Sequence, residues 1–552
     1  MSLTDHAADL VLTGGSVATM DAVRRWASAV AVRDGRILAV GSDREVEALA
    51  GPRTRRVDLA GRTLLPSFQD AHVHPSKDGV VLLRCSLYDV PRTVDAYVGA
   101  IASYAAEHKD APWILGGGWY MEAFPGGTPS RQDLDRAVPD RPAFLINRDW
   151  HGAWLNSRAL ALLGITRDTP DPDSGRIERD AAGEPSGTLH EGAMEEARSR
   201  LPPTTVDEVA DGIELAQAYL HRLGVTAWQD AWVEKDFLSA YRRVAERGRL
   251  TARVTACHWW DRDRGGEQID ELVDRRRWGA IDRLATNTVK IMQDGVAENY
   301  TAAMLEPYRD GHGGTTSNRG LSFVDPEALK GHVTRLDALG FQVHFHALGD
   351  RGVREALDAI EAARRANGPS DHRHHLAHLQ AVDPADIPRF RALGAVANMQ
   401  PYWACRDAQM VDLTLPFLPP ERAALQYPFR SFLEAGVVLA GGSDWMVSTP
   451  DVLKEVEVAV ARVSPEDRSA EPFLPEQALD LMDALAAFTI GTAYVNHLDD
   501  QTGTVEAGKL ADLVVLDRDI FAPDAGPTGD ARVVLTLIEG EAVHEDPALE
   551  RP

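Results

Sequence analysis

Thiols are scarce in this chain. Of its 552 residues only Cys85, Cys257 and Cys405 are cysteine. They lie far apart and show no C-x-x-C spacing, which argues against a disulfide framework and for a reducing, cytoplasmic setting. Long apolar runs are missing too, as nothing approaches the ~18 residues of a membrane span. Met1–Gly15 has neither the basic nor the apolar region of a leader peptide, so no membrane association is expected. Basic residues are outnumbered, 58 against 84 acidic, for a formal charge of -26. That balance argues against nucleic acid or an anionic membrane as the main partner, and a small-molecule substrate is expected. No internal repeat or low-complexity tract is present.

What is present is a stretch ending in paired histidines, Leu64-Leu65-Pro66-Ser67-Phe68-Gln69-Asp70-Ala71-His72-Val73-His74-Pro75. Read as one strand, it puts His72 and His74 on the same face, because successive side chains alternate. Two imidazoles on one face can chelate a metal. With 18 histidines, H-x-H arises by chance about 0.6 times in such a chain, so the pair needs support from elsewhere.

Strand signals recur after it at Val225–Asp230, Thr251–His258, Thr288–Gln293, Gln342–Ala347, His374–Gln380, Ala395–Gln400 and Val437–Asp444. Amphipathic helical stretches separate most of them, as in Arg351–Ala366 with Val353, Ala356, Leu357 and Ile360 on one face. Eight βα units predict an α/β fold of the (β/α)8 TIM-barrel type. The gap after the first strand is too long for one crossover. An insertion over about 78–203 is expected, with strands at Trp113–Leu115 and Ala143–Asn147. Both chain ends are β-rich, with a hairpin turn at Asp34-Gly35. They predict a small β-sandwich built from residues 1–62 and 493–552 around a barrel spanning 63–492.

Barrel enzymes place their chemistry at the C-terminal ends of the strands. Val289 and Ile291 share a face, so Lys290 points inward, where a bare ammonium is costly. It either pairs with an acid or is converted by CO2 to a carbamate able to bridge two metals. His346 and His378 end the fifth and sixth strands, and Asp444 ends the eighth. His344 lies deeper and reads as a hydrogen-bonded core residue. His372, His374 and His375 read as a solvated or supporting run. Four imidazoles and an aspartate suit Zn²⁺, although Mn²⁺, Fe²⁺ or Co²⁺ are open.

These motifs resemble the amidohydrolase superfamily of metal-dependent hydrolases, and within it the amidohydrolase-3 branch that contains YtcJ-like proteins and N-substituted formamide deformylases. The resemblance also takes in Ala8–Leu12, Trp113-Ile114-Leu115-Gly116-Gly117-Gly118-Trp119, Asn156-Ser157, Gly442-Ser443-Asp444-Trp445 and Gly508–Asp517. It implies two divalent ions: His72, His74 and Asp444 on one, His346 and His378 on the other, and N-carboxylated Lys290 between them. It also implies a homo-oligomer, dimer or tetramer. Ser67, Gln69, Ala377, Trp403 and Met446 depart from the usual pattern, the last three in the substrate region and around the ligands.

The expected reaction is hydrolysis of an amide-type C–N bond in a small aromatic or hydrophobic substrate, with Asp444 as general base and then acid. Trp119, His151, Trp403 and Trp445 are the expected substrate contacts, and Glu191 a weaker candidate. A mononuclear deaminase-type site, or a decarboxylase or isomerase on the same scaffold, are the alternatives. The inward Lys290 speaks against the first. A non-enzymatic assembly role conflicts with six filled ligand positions.

Overall fold

The computed structural model describes residues 7–172, 174–445 and 447–550. Eight parallel strands form the central sheet: β1 (Phe68–Val73), β2 (Val225–Val233), β3 (Arg253–Trp259), β4 (Leu284–Met292), β5 (Gln342–Ala347), β6 (His375–His378), β7 (Val396–Met399) and β8 (Leu439–Gly441). Each is hydrogen-bonded to the next in chain order. The strands are almost wholly buried, yet polar residues such as Gln69, Gln229, Gln342 and His344 alternate with the apolar ones.

Between β8 and β1 the barrel is nearly closed. The gap is spanned by loop and side-chain hydrogen bonds: Asp444 N–H to the His72 carbonyl (2.7 Å), His74 N–H to the Trp445 carbonyl (3.1 Å), and Ser443 N–H to Asp70 Oδ1 (3.0 Å). Gly442 makes the close approach possible, because a Cβ there would stand 2.7 Å from that of His72.

The stretch leading to the histidine pair is two strands, not the single strand expected. Thr63–Pro66 pairs with Ser16–Ala18 and with Leu513–Leu516, and so belongs to a six-stranded sheet of terminal segments. At Ser67 the chain leaves that sheet, its N–H bonded to the Asp512 carbonyl and its hydroxyl 2.6 Å from that of Thr226. Pro66, lacking an N–H, suits the end of the first strand. Val73 is the last strand residue, so His74 is carried by the turn that follows.

A second terminal sheet orders Arg36–Gly41, Ala29–Arg33, Ala8–Thr13 and Ala50–Asp58. Its hairpin turns at Asp34-Gly35, both with positive φ as a two-residue turn of matching twist requires. Leu10, Val30, Leu64, Leu513, Val515 and Leu537 share one buried cluster, so segments from both chain ends contribute to the same core.

Residues 75–216 form a separate compact unit. Its six-stranded sheet runs Gly175–Arg179, Pro185–Glu191, Gly152–Leu155, Ala143–Asn147, Ile114–Trp119 and Cys85–Ser86. The strand expected at Trp113–Leu115 thus extends to Trp119. Gly116 and Gly117 lie inside it because neighbouring strands press close: a Cβ on Gly116 would meet the Cys85 carbonyl oxygen at 2.0 Å. Among the described residues no helix is long and apolar enough to cross a membrane.

Candidate metal centre

Asp444 is the hub of the site. Its Oδ1 lies 2.9 Å from His74 Nε2 and 3.3 Å from His72 Nε2, and its Oδ2 lies 3.9 Å from His378 Nδ1. The His378 ring in turn sits 4.4 Å from that of His346 and 4.7 Å from that of His72, centroid to centroid. Residues from β1, β5, β6 and the end of β8 therefore converge at one mouth, with His74 alone more than marginally accessible. Lys290, fully buried on β4, depresses the basicity of His72 and His378 and is itself biased by Asp444.

The charge states follow from burial and neighbours. Burial drives His72 and His378 well below the ordinary imidazole range, with Lys290 adding to the effect, so both are neutral and keep a lone pair. Burial alone would raise Asp444, but the imidazoles of His72, His74 and His378 outweigh it and hold the carboxyl well below its usual range. Burial lowers the Lys290 amine to about 7.

These residues fit a divalent cation. His378 Nδ1 and Nε2, His74 Nδ1 and Lys290 Nζ are buried without a hydrogen-bond partner among the described residues. Unpartnered buried nitrogens are costly unless something else satisfies them. Neutral imidazoles around an ionised carboxylate are the donor set of a Zn²⁺-type site. The ligand atoms of His72, His74 and Asp444 all lie within 4.8 Å of one another.

Supporting residues came to light that the sequence reading did not single out. Asp294, just past β4, faces the His346 Nδ1 at 3.3 Å. It also accepts from the backbone N–H of Ala303, Leu348 and Gly349 at 2.8–3.0 Å. This contact orients the His346 ring, with Nδ1 turned toward the carboxylate. His378 has φ +80, a conformation uncommon for a non-glycine residue, and its N–H is held by Gln400 Oε1 at 2.7 Å. Gln400 leans on Asn398, which donates to the Ala71 carbonyl beside His72.

Glu455 joins two loops behind the site. One oxygen accepts from Tyr402 N–H (2.7 Å) and the other lies 2.9 Å from Ser448 Oγ, which also bonds the Ser443 carbonyl. One hydroxyl proton cannot serve both, and a carbonyl only accepts. Glu455 is therefore a neutral acid donating to Ser448, consistent with burial pushing its carboxyl well above the usual range.

The expected substrate contacts divide. Trp403 stacks on His378 with centroids 5.6 Å apart, and Trp445 is buried against Tyr219 at 5.2 Å. Trp119 is instead a core residue of the 75–216 unit: fully buried, edge-on to Phe124, its indole N–H on the Leu145 carbonyl. Its surface is consumed by packing, so the expectation of a pocket wall there is corrected. His151 pairs with Glu191 at 3.1 Å within the same unit. Met446 lies outside the described residues. Trp232 and Trp259, at the ends of β2 and β3, stack on each other at 4.2 Å and 14°, and Trp259 is in register with Lys290.

Asp337, His372 and His374 form a second cluster, but not a metal site. His374 Nδ1 accepts the Val343 N–H (3.0 Å), so the neutral ring carries its proton on Nε2 and donates it to Asp337 (3.0 Å). His344, read as a core histidine, bonds His72 Nδ1 at 2.8 Å and so touches the site.

Residues 55–544 match the amidohydrolase family. The chain belongs to that family. It is 28% identical to N-substituted formamide deformylase of Arthrobacter pascens, over 97% of this chain and 98% of that one. It is 32% identical to protein LONG AFTER FAR-RED 3 of Arabidopsis thaliana, over 97% and 92%. A crystal structure of an uncharacterized metal-dependent hydrolase from Pyrococcus furiosus superposes with a TM-score of 0.72 at 26% identity, covering 92% of this chain and 99% of that chain. These likenesses support a hydrolase.

Proposed function

We propose that this amidohydrolase cleaves an amide-type C–N bond in a small substrate carrying an aromatic or hydrophobic group. The observation that carries the reading is the Asp444 carboxylate, buried and ionised, with three imidazoles 2.9–3.9 Å away. In this reading His72, His74 and Asp444 would hold one divalent ion and His346 and His378 a second, Zn²⁺ at both, and Lys290, as its carbamate, would be a further ligand. Carbamate formation needs the neutral amine, and the lowered Lys290 value provides a large neutral fraction near pH 7. Bound, such ions acidify water and polarise the scissile carbonyl.

The chain's own residues do the rest. Asp444 takes a proton from the attacking water as its oxygen bonds the carbonyl carbon. As the C–N bond breaks, Asp444 returns that proton to the departing nitrogen, leaving a carboxylic acid and an amine. Trp403 and Trp445 shape the mouth, and the Trp232–Trp259 pair adds aromatic surface at the ends of β2 and β3. The relative named N-substituted formamide deformylase supports N-substituted formamides as the first compounds to test.

The test combines metal analysis with a screen of N-aryl and N-alkyl formamides and amides. About two ions per chain and hydrolysis of one such class are expected. Asp444→Asn should lower kcat by about 10²–10⁴. Normal turnover in that variant with both ions retained would rule out the assigned role, and one ion per chain would favour the deaminase-type site.

A further inference from the structure

Beneath the metal-binding mouth the barrel interior is filled by a row of polar side chains. Gln229, Cys257, Thr288, Gln342 and His344 are all buried there. Their hydrogen bonds have a direction that can be worked out from the far end.

Gln342 Nε2 lies 2.9 Å from the Arg373 carbonyl and 2.8 Å from the Val495 carbonyl. Carbonyls only accept, so this end of the amide is the NH₂ group and both its protons are engaged. Gln342 Oε1 then faces donors: Thr288 Oγ1 at 2.8 Å and Gln229 Nε2 at 3.0 Å. That turns Gln229 so its oxygen looks toward the mouth, where it accepts from Cys257 Sγ (3.3 Å) and His344 Nδ1 (3.1 Å). With its proton on Nδ1, neutral His344 offers a lone pair at Nε2, and His72 Nδ1–H fills it at 2.8 Å. His72 is left with a bare lone pair on Nε2, directed at the ionised Asp444 Oδ1 3.3 Å away. Two lone pairs facing one another call for a cation between them.

We propose that Gln342, Gln229 and His344 are positioning residues that hold His72 in its Nδ1–H tautomer and so present Nε2 as a ligand. The opposite tautomer would require every amide in the row to reverse. That reversal sets the Gln342 oxygen against two backbone carbonyls, an arrangement without a proton to share. A metal-ligating histidine commonly has its tautomer set by a single carboxylate or carbonyl. Here the reference point is a pair of main-chain carbonyls three side chains away.

The inference rests on His72 being a metal ligand, and the test keeps the two apart. Ring ¹⁵N shifts of histidine-labelled, metal-free protein read the tautomer directly, and equilibrium dialysis with Zn²⁺ reads affinity. The wild-type protein should show His72 as Nδ1–H. Gln229→Leu should give a mixture of tautomers and weaken Zn²⁺ binding about 10–100-fold. Gln229→Glu, held as a neutral acid in this buried row, can donate to Gln342 Oε1 and accept from His344, and should restore both readouts. It also keeps the experiment decisive if the leucine variant does not fold. An Nε2–H tautomer in the wild-type protein, or an unchanged tautomer in Gln229→Leu, overturns the inference. If Glu fails to rescue, the direction of the row is wrong. A shifted tautomer in a protein that binds no Zn²⁺ in any form would leave the positioning role standing and defeat the metal-site reading alone.

Discussion

Asp294 shows how a single residue can be decisive and yet be hard to find in a sequence. Four N–H donors converge on it, from Ala303, Leu348, Gly349 and the His346 ring. Both carboxylate oxygens must accept. Asn at that position would put its NH₂ group against N–H donors, leaving at least one of them unpaired. Asp294→Asn should cost about 1–3 kcal/mol of stability and weaken metal binding about 10–100-fold. Thermal unfolding and dialysis check this, and wild-type values in both would refute it. The metal-ligand candidates themselves were legible, because each lies in or just past the C-terminal end of a barrel strand. Asp294 was not, since nothing in the order of residues says which imidazole it will face after β4 and β5 pair. Trp119 misled for the complementary reason: a tryptophan beside glycines suggests an exposed loop, but the glycines are there to let strands approach, and the indole fills the core behind them.

At the level of elements, the loops after β7 and β8 are held together by one neutral acid. Gln can reproduce what Glu455 does, donating through Nε2 to Ser448 and accepting from Tyr402 N–H through Oε1. Glu455→Gln should therefore stay within about 0.5 kcal/mol of the parent, whereas Glu455→Leu strands both partners and should cost about 1–3 kcal/mol. Denaturant titration separates the two, and a Gln variant as damaged as the Leu variant would show that Glu455 is ionised. The seam beside it depends on Gly442. Gly442→Ala should push β8 away from His72 and lower both melting temperature and metal retention, because the new methyl would meet backbone and Cβ atoms at 2.7–2.8 Å. Strand positions were legible from short β-rich stretches set between amphipathic helical ones. The break at Ser67 was not, because a run feeding two sheets looks the same as a run within one.

For the whole molecule, buried imidazoles set an acid limit. Burial lowers His221 and His258 to about 4 and His375 to about 3, against an ordinary value near 6.5. Below about pH 6.5 the unfolded chain binds protons at these sites that the folded chain does not. Their stabilisation is therefore full above that pH and shrinks as pH falls toward 4. At pH 5 each should have lost about 2 kcal/mol. Metal-free protein should unfold at clearly lower temperature at pH 5 than at pH 7.5. A melting temperature that does not change over that interval would count against neutral burial of these rings.

The order of residues alone determined the number of barrel strands, the end of each that carries chemistry, and the candidate ligands. Those depend on periodicity and on which residue closes each strand, and both are local. Only the tertiary structure decided how the ligands are aimed. The Asp294 clamp, the Glu455 latch and the polar row under His72 join partners 52, 53 and up to 272 positions apart through protons and lone pairs, and such pairings exist only once the strands have come into register.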